Sequence, residues 1–186
     1  MNQYRLEPPE ELTTSTDIVT RYGTVTLTWL EQHVVRVRIG PFEPGDRRPS
    51  VRRFMPPHQE GQHLVAQVLA YFQGEKINFN LPLYRRLGTE FQRRVWQALG
   101  QIPYGKCESY GDLAQRLDLP TSGARAVANA CGQNPLLILY PCHRVVASTG
   151  VLTGYSAGIP WKRALLELEG VPIQHGRVHI AKKQPF

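Results

Sequence analysis

The chain has 186 residues, of which 41% are hydrophobic and 20% charged, the composition of an ordinary globular protein. No apolar run approaches the roughly 18 residues that a membrane-spanning helix needs, and residues 1–7 lack the apolar core of a secretory signal. The formal net charge of +7 lies mostly in residues 86–186, with 12 Lys and Arg against 6 Asp and Glu, which favours a polyanionic partner there but also fits ordinary solubility charge.

The first half predicts a β-rich unit with one helix. Residues 24–29 alternate polar and apolar side chains, and residues 34–39 form a second strand candidate. Residues 41–57 are basic and rich in proline, which predicts a long loop. Apolar residues then recur at helical spacing from Leu64 to Phe72. None of these residues has an evident chemical role, so this half is predicted to be structural.

The second half predicts helices. Thr89 starts a capping box and a helix that ends at Gly100, and Ser109 starts a similar pattern. Ser122 is expected to cap a further short helix, residues 123–131. Two short helices joined by a tight turn are a helix-turn-helix candidate, although any αα-hairpin has the same pattern.

The second of those two helices carries Ala124, Ala126 and Ala128 and a single long cation, Arg125. Small side chains cannot read base edges, but they let a helix approach a groove closely. This composition therefore fits a shallow, sequence-indifferent contact with DNA, with Arg125 free to enter the base stack. A helix packed tightly in the core fits equally well.

Residues 141–145, Pro-Cys-His-Arg-Val, follow the apolar run 136–140. A cysteine attacks as its thiolate, and neighbouring positive charge or a partnered histidine lowers the thiol pKa, so we expect a lowered pKa at Cys142. Side chains of adjacent residues do not usually face each other. A buried structural cysteine beside a surface His-Arg pair is therefore an equally good interpretation of this segment.

Three further segments are candidates for the same site. Asn134 precedes a proline, and its amide either ties the helix to the Cys142 loop or caps the helix. Glycine-rich residues 154–158 could expose backbone N–H groups to a ligand. Glu169 ends a last predicted helix that Pro160 opens, where a carboxylate opposes the helix dipole. It therefore needs a partner, for which His143 is the candidate, or it faces solvent.

The three cysteines are Cys107, Cys131 and Cys142, with no Cys-x-x-Cys pair. This odd number argues against a disulfide framework and against a thiolate zinc site. We therefore expect no metal site and a reducing compartment, the cytoplasm, or the nucleus in a eukaryote.

Together these segments resemble the O6-alkylguanine-DNA alkyltransferases (methylated-DNA–protein-cysteine methyltransferases) over roughly residues 88–170. The first half matches only in length and rough β content. The motifs that carry the resemblance are Gly88-Thr89, Phe91-Gln92, Val95-Trp96, Ile102-Pro103-Tyr104-Gly105, Ser109-Tyr110-Gly111-Asp112-Leu113-Ala114, Ala124-Arg125-Ala126-Val127, Asn134-Pro135, Pro141-Cys142-His143-Arg144-Val145, Gly154-Tyr155, Leu165-Leu166 and Glu169-Gly170.

The resemblance implies an α+β fold in two domains. Residues 1–86 would form a small antiparallel sheet with a helix, RNase H-like, as a support domain. Residues 87–186 would form a helical, winged-helix or helix-turn-helix-like domain that binds DNA and accepts the alkyl group. The implied partner is double-stranded DNA containing O6-alkylguanine, bound by a monomer, with cooperative binding left open. No cofactor and no membrane are implied.

The implied activity is DNA repair by irreversible, single-turnover transfer of the alkyl group to Cys142 after base flipping. Activity on O4-alkylthymine stays open. Cys142, His143 and Glu169 would form a thiol relay, and Tyr110 would protonate the departing base. Residues implied to contact DNA or the flipped base are Arg125, Asn134, Ser156, Tyr155, Val145, Ala124, Ala126 and Ala128.

Within these roles, Arg125 fills the vacated stack, Asn134 is a hinge, and Ser156 bonds guanine O6. The backbone carbonyls of Cys142 and Val145 would take the exocyclic amine. Lys182 and Lys183, in the tail after residue 171, either touch phosphates or are disordered.

Two residues depart from the family pattern. Ala128 stands where the family commonly has glycine, which adds a methyl group at the tightest approach to DNA. Tyr140 stands where the family has an aliphatic residue, which changes the bulk beside the pocket. Three rival functions are a lesion-binding protein without transfer, a sequence-reading transcription factor and a Cys-His hydrolase. The presence of Cys142 argues against the first, and the lack of base-reading side chains on the Ala-rich helix argues against the second. The third needs an oxyanion hole that the sequence does not locate.

Overall fold

A computed structural model of the chain describes residues 12–79, 87–120 and 122–180. The first half holds an antiparallel sheet with the strand order β3-β2-β1-β4. The two predicted strands are confirmed as β2 and β3. The strands are β1 (Thr13–Thr20), β2 (Gly23–Leu30), β3 (His33–Ile39) and β4 (Ser50–Arg53).

The sequence analysis missed two of these strands. β1 is rich in threonine, and its apolar positions are too few for a clear alternation. β4 lies within residues 41–57, so the prediction of a continuous loop there is wrong. The four residues of β4 are exposed or half-buried, so they lack the alternation of apolar and polar side chains that predicts a strand. β4 forms because its backbone pairs with β1.

Alternation along β2 places Val25, Leu27 and Trp29 on one buried face of the sheet. The predicted helix is α1 (Gln59–Phe72), whose N-cap His58 accepts a hydrogen bond at Nδ1 from the Gly61 amide. The apolar stripe of α1 is buried in the same core as this face of the sheet.

The four helices predicted for the second half are present. Both capping boxes, at Thr89 and at Ser109, are confirmed. The cap predicted at Ser122 is wrong, because this residue already has helical dihedrals and its side chain makes no capping hydrogen bond. The helices are α2 (Glu90–Gly100), α3 (Tyr110–Arg116), α4 (Gly123–Gly132) and α5 (Ile159–Leu168).

α3 and α4 pack together as the predicted helix pair, with α2 against α4. Short strands complete this half. β5 (Glu108–Ser109) pairs parallel with β6 (Val145–Val146), and β7 (Ile173–Gln174) forms a hairpin with β8 (Arg177–Val178). A 3-10 helix, Cys142–Arg144, directly precedes β6. The α+β class is therefore confirmed.

The first half is joined to the segment that leads to Cys142. The Val37 amide of β3 donates to the Pro135 carbonyl at 2.7 Å, and Val37 forms a parallel bridge with Leu136. The Trp161 indole of α5 donates to the Gly40 carbonyl at 2.9 Å. Buried residues of both halves share one hydrophobic core, so the sheet supports the segment that carries Cys142.

The domain division predicted at residue 86 falls at the edge of residues 80–86, which lie outside the described residues, and it stays a prediction. Lys182 and Lys183 also lie outside them. Within the described ranges, no helix combines the length and apolar character needed to cross a membrane.

Gly88 tests the packing at the start of α2. Its φ is +67°, and an added Cβ would lie 2.5 Å from Cη2 of the buried Trp96. Gly88→Ala should therefore lower the free energy of unfolding by about 2–4 kcal/mol, since a left-handed backbone and an overpacked core each destabilise the folded state. The measurement is urea denaturation.

Gly176→Ala is the matched control. Its φ is +73°, and an added Cβ there would meet nothing within 4 Å. It should cost about 1–2 kcal/mol, the backbone contribution alone. Equal losses for the two variants would show that the contact with Trp96 does not constrain position 88.

Candidate active site

Residues 136–140 reach Cys142 through a series of tight turns. The Leu139 amide donates to the Leu137 carbonyl at 2.9 Å, and the Cys142 amide donates to the Tyr140 carbonyl at 2.7 Å. Ile138, at the centre of the first turn, has a φ of +73°, a strained conformation for a β-branched residue. The packed apolar side chains of this run hold the strain, and the turns place Cys142 at the start of the 3-10 helix.

Asn134 ties the end of α4 to this run. Its Nδ2 donates to the Tyr140 carbonyl at 2.7 Å, and its Oδ1 accepts from the Leu136 amide at 3.0 Å. Nδ2 also lies 3.2 Å from Cys142 Sγ, where it donates to the sulfur. The tie to the reactive loop was one of two expected alternatives, whereas the direct contact with the sulfur was not predicted.

Cys142 is 4% exposed. Burial raises the pKa of its thiol, and the Asn134 hydrogen bond and the charge of Lys162 oppose that rise without overcoming it. The lowered pKa expected from the sequence is therefore wrong for the resting protein. Removing the sulfur from water destabilises the thiolate more than its neighbours stabilise it.

His143 and Glu169 form a fully buried pair, with Nε2 2.8 Å from Oε1. Glu169 therefore has the partner that its place at the end of α5 required. Because an ionised carboxylate only accepts hydrogen bonds, Nε2 carries the proton and Nδ1 presents a lone pair. Nδ1 is buried and has no hydrogen-bond partner among the described residues.

The pair has a defined charge state. Burial lowers the pKa of His143, and the Glu169 carboxylate opposes this effect. Burial also works against ionisation of Glu169, but the contacts with His143 and Arg144 outweigh it and hold the pKa of this carboxyl well below its usual range. The resting pair is therefore a neutral imidazole beside a carboxylate.

Three further groups donate to the Glu169 carboxylate. Arg144 binds both oxygens, with Nε 2.9 Å from Oε2 and Nη2 2.9 Å from Oε1. The Gly105 amide donates to Oε2 at 3.0 Å, and the Tyr71 hydroxyl donates to Oε1 at 2.8 Å. From the sequence, Arg144 is expected only as a positive charge that lowers the pKa of Cys142, and Tyr71 is assigned no role. Arg144 could have been found from its place beside His143, whereas the pattern of α1 predicts only a core residue at Tyr71.

Lys162 is a second group that sequence reasoning missed. It is fully buried within α5, and Nζ donates to the Val145 carbonyl at 2.6 Å and to the Thr153 carbonyl at 2.7 Å. Burial lowers the pKa of its ammonium to about 8, despite the opposing effect of Cys142. Lys162 therefore links the segment after Cys142 to the glycine-rich loop.

A cavity of about 370 Å³ opens beside Cys142. Its walls come from α3, from the end of α4 and from the glycine-rich loop, so the helix pair and the reactive segment meet there. The lining residues are Tyr110, Ala128, Cys131, Gly132, Cys142, Thr153, Gly154, Tyr155 and Ser156.

The two tyrosines of the cavity differ in environment. Burial and the nearby thiols of Cys131 and Cys142 raise the pKa of Tyr110 to about 12, so its phenol keeps its proton and can donate it. The Tyr155 hydroxyl is buried, without a hydrogen-bond partner within the described ranges, and its ring lies edge-on to His143. The Tyr155 hydroxyl is therefore available to a ligand, whereas the Tyr110 hydroxyl already has a hydrogen bond with the Thr153 side chain.

On α4, Arg125 and Ala126 are exposed, whereas Ala124 and Ala128 are half-buried. The opposite face, with Val127 and Ala130, packs in the core. The helix therefore has an outer face, as a contact with DNA requires, and a core face, as tight packing in the interior requires. Each of the two interpretations drawn from the sequence describes one of these faces. Ala128 lies in the cavity wall, so its methyl group narrows the cavity.

The remaining candidate positions are Val145 and Tyr140. The Val145 carbonyl accepts from Lys162, and the Cys142 carbonyl accepts from the Val145 amide. The Tyr140 ring packs 3.7 Å from the position of a Cβ on Gly100 and is not part of the cavity lining. The expected change beside the pocket at Tyr140 is therefore wrong, because the ring points toward α2.

Comparisons with known proteins agree with this geometry. A family model described as the DNA-binding domain of 6-O-methylguanine DNA methyltransferase matches residues 90–171. The methylated-DNA–protein-cysteine methyltransferase of Mycobacterium leprae is 46% identical over 121 residues, which are 65% of this chain and 72% of that protein. This chain belongs to the methylated-DNA–protein-cysteine methyltransferase family.

The corresponding protein of Mycobacterium tuberculosis H37Rv is 54% identical over 105 residues, 56% of this chain. The match spans 62% of that protein, less than two thirds of its length. A crystal structure of M. tuberculosis OGT in complex with DNA aligns with a TM-score of 0.67 at 42% identity, covering 82% of this chain and 90% of that one. The fold of this chain is therefore that of a family member in both halves.

Asn134→Ala tests the hydrogen bond from Asn134 Nδ2 to Cys142 Sγ. Because that bond favours the thiolate, its loss should raise the pKa of Cys142 further and slow iodoacetamide alkylation of Cys142 at pH 8. The buried groups left without a donor should also lower the free energy of unfolding by about 1–3 kcal/mol. Peptide mass spectrometry over time measures the alkylation.

Asn129→Ala is the control. Asn129 is exposed on α4, where its side chain accepts a hydrogen bond from Gln133. This change should alter neither the alkylation rate of Cys142 nor the free energy of unfolding. Unchanged alkylation in Asn134→Ala would mean that the amide only shapes the loop.

Proposed function

We propose that this chain repairs DNA by transferring the alkyl group of O6-alkylguanine irreversibly to Cys142. The proposal rests on one observation: a cavity is lined by a buried thiol, and a buried histidine that can act as a base follows this thiol in the chain. Cys142 lines the cavity, and the neighbouring His143 has a free Nδ1 and is held by the Glu169 carboxylate. This is the arrangement of a nucleophile with an oriented general base.

The transfer begins with the proton of the thiol. His143 Nδ1, directly or through one water, takes this proton from Cys142, and Glu169 stabilises the imidazolium that forms. Because burial disfavours the free thiolate, the sulfur ionises as the proton leaves for the base. His143 is the only imidazole that the described residues place in this buried cluster.

The thiolate then attacks the alkyl carbon in line. The bond between this carbon and O6 breaks as the carbon–sulfur bond forms, and Tyr110 supplies a proton to the departing guanine. The proton that His143 took from the thiol replaces the one that Tyr110 gave to guanine. The products are therefore guanine and S-alkylcysteine, and both His143 and Tyr110 return to their neutral forms. Water does not hydrolyse the thioether, so each molecule reacts once.

The DNA contact is proposed for the outer face of α4. Exposed Arg125 would fill the stack that the flipped nucleotide leaves, beside Ala124 and Ala126, whose small side chains allow close approach. The solved M. tuberculosis OGT was crystallised with DNA, which supports DNA as the partner here. The carbonyls of Cys142 and Val145, with Ser156 at the cavity rim, would bind the extruded guanine. The protein would act in the cell compartment that contains the DNA, which is the cytoplasm, or the nucleus in a eukaryote.

The acceptor is tested by mass. After incubation with duplex DNA containing O6-methylguanine, one methyl group per molecule should appear on Cys142 by peptide mass spectrometry. Cys142→Ala should bind the same duplex with unchanged affinity but acquire no methyl group. Binding without any methyl transfer by the unaltered chain would favour the rival function, a lesion-binding protein.

The DNA contact is tested at Arg125. Arg125→Ala should slow methyl transfer from duplex DNA by roughly ten- to a hundredfold, since flipping costs a few kcal/mol that this side chain offsets. Transfer from the free base O6-benzylguanine should be unchanged, because no flipping is needed.

Arg163→Ala is the control for charge, since Arg163 is half-exposed and paired with Glu167 on α5. It should leave both rates within twofold. Equal effects of the two substitutions on the duplex rate would exclude an intercalating role for Arg125.

A further inference from the structure

We propose that Tyr71, on α1 in the first half of the chain, is a positioning residue that sets how readily His143 accepts a proton. It acts through the Glu169 carboxylate and does not touch the cavity. This inference rests on the proposed function, because it concerns the base of that reaction.

The contact is direct. The Tyr71 hydroxyl donates to Glu169 Oε1 at 2.8 Å, and this is the oxygen that accepts from His143 Nε2, also at 2.8 Å. The hydroxyl lies 3.5 Å from Nε2. Burial and the Glu169 charge raise the pKa of Tyr71 well above its ordinary value, so the phenol is a permanent donor.

The carboxylate does not need Tyr71 to satisfy its hydrogen-bonding capacity. His143, the Gly105 amide and two nitrogens of Arg144 already supply four donors, and a carboxylate has about four acceptor sites. Tyr71 is therefore an additional donor on an oxygen that others occupy. Its effect is to draw electron density from Oε1 and to weaken the hydrogen bond from His143.

Packing alone does not explain the hydroxyl. The Tyr71 ring is fully buried against the rings of Phe72, Phe79 and Tyr104. A phenylalanine would fill the same space without burying a polar group, which costs free energy unless it is hydrogen-bonded. The hydroxyl thus connects the first half of the chain to the proton relay.

The groups around His143 come from several elements. Three charged groups act on its pKa: the Glu169 carboxylate raises it, and Arg144 and Lys162 lower it. The phenols of Tyr71 on α1 and Tyr155 in the glycine-rich loop also lie against the ring, and Cys142 precedes it in the 3-10 helix.

The test is Tyr71→Phe, which removes one oxygen and keeps the ring. With one donor fewer, Oε1 holds the Nε2 proton more strongly and the imidazolium becomes more stable. The pKa of His143, measured by NMR on the DNA-free protein, should rise by roughly half to one unit. Because the base must be neutral to act, the acid limb of single-turnover transfer should move to higher pH by the same amount.

Tyr104→Phe is the matched control. Its hydroxyl donates to the Leu168 carbonyl at 3.0 Å, and its ring lies against that of Tyr71. It removes a neighbouring phenol that does not donate to the carboxylate, so the NMR titration and the pH profile should stay unchanged. A His143 titration that is the same in Tyr71→Phe as in the wild type would overturn the proposal.

A double-mutant cycle separates positioning from packing. In Glu169→Gln, Tyr71→Phe should have no further effect on the pH profile if Tyr71 acts through the carboxylate, and an additional shift would overturn this route. If Tyr71→Phe does not fold, replacement of tyrosine by 3-fluorotyrosine provides a stronger donor and should lower the pKa of His143. A rise or no change would again contradict the proposal.

The NMR titration does not depend on methyl transfer. Absence of transfer in the wild type would remove the proposed function, while a shifted His143 titration in Tyr71→Phe would still establish the link.

Discussion

The buried carboxylate of Glu169 is the group on which the rest of the site depends. A negative charge is stable away from water only when donors surround it, and here four residues from three parts of the chain donate to it. His143 and Arg144 belong to the 3-10 helix, Gly105 to the loop before β5, and Tyr71 to α1. One ion thus fixes the end of α5, the reactive segment and the first half relative to one another.

This arrangement accounts for a reactive sulfur that is stable at rest. Burial keeps the Cys142 thiol protonated, while the Asn134 hydrogen bond and the charge of Lys162 favour the thiolate. The base beside it is neutral and has a free Nδ1. The proposed transfer uses the sulfur only once, so a thiol that ionises when a substrate fills the cavity suits it, because other electrophiles in water then meet an unreactive sulfur.

The first half contributes to the site more directly than its composition indicates. The edge strand β3 pairs with the segment that leads into the reactive turns through Val37 and Pro135, and α1 delivers a hydroxyl to the carboxylate. Strain at Ile138 is held by this surrounding packing. The N-terminal sheet is therefore part of what holds the nucleophile in place.

The helices could be predicted from the sequence alone, because the capping boxes at Thr89 and Ser109 and the apolar spacing are local signals. The Pro-Cys-His-Arg motif and Glu169 belong to a recognisable set, so the residues of the proposed relay could be named from the resemblance. The protonation state of Cys142 and the contacts of Tyr71 and Lys162 could be read only from the folded chain. These depend on desolvation and on contacts between residues far apart in the chain, and neither leaves a periodic pattern in the sequence.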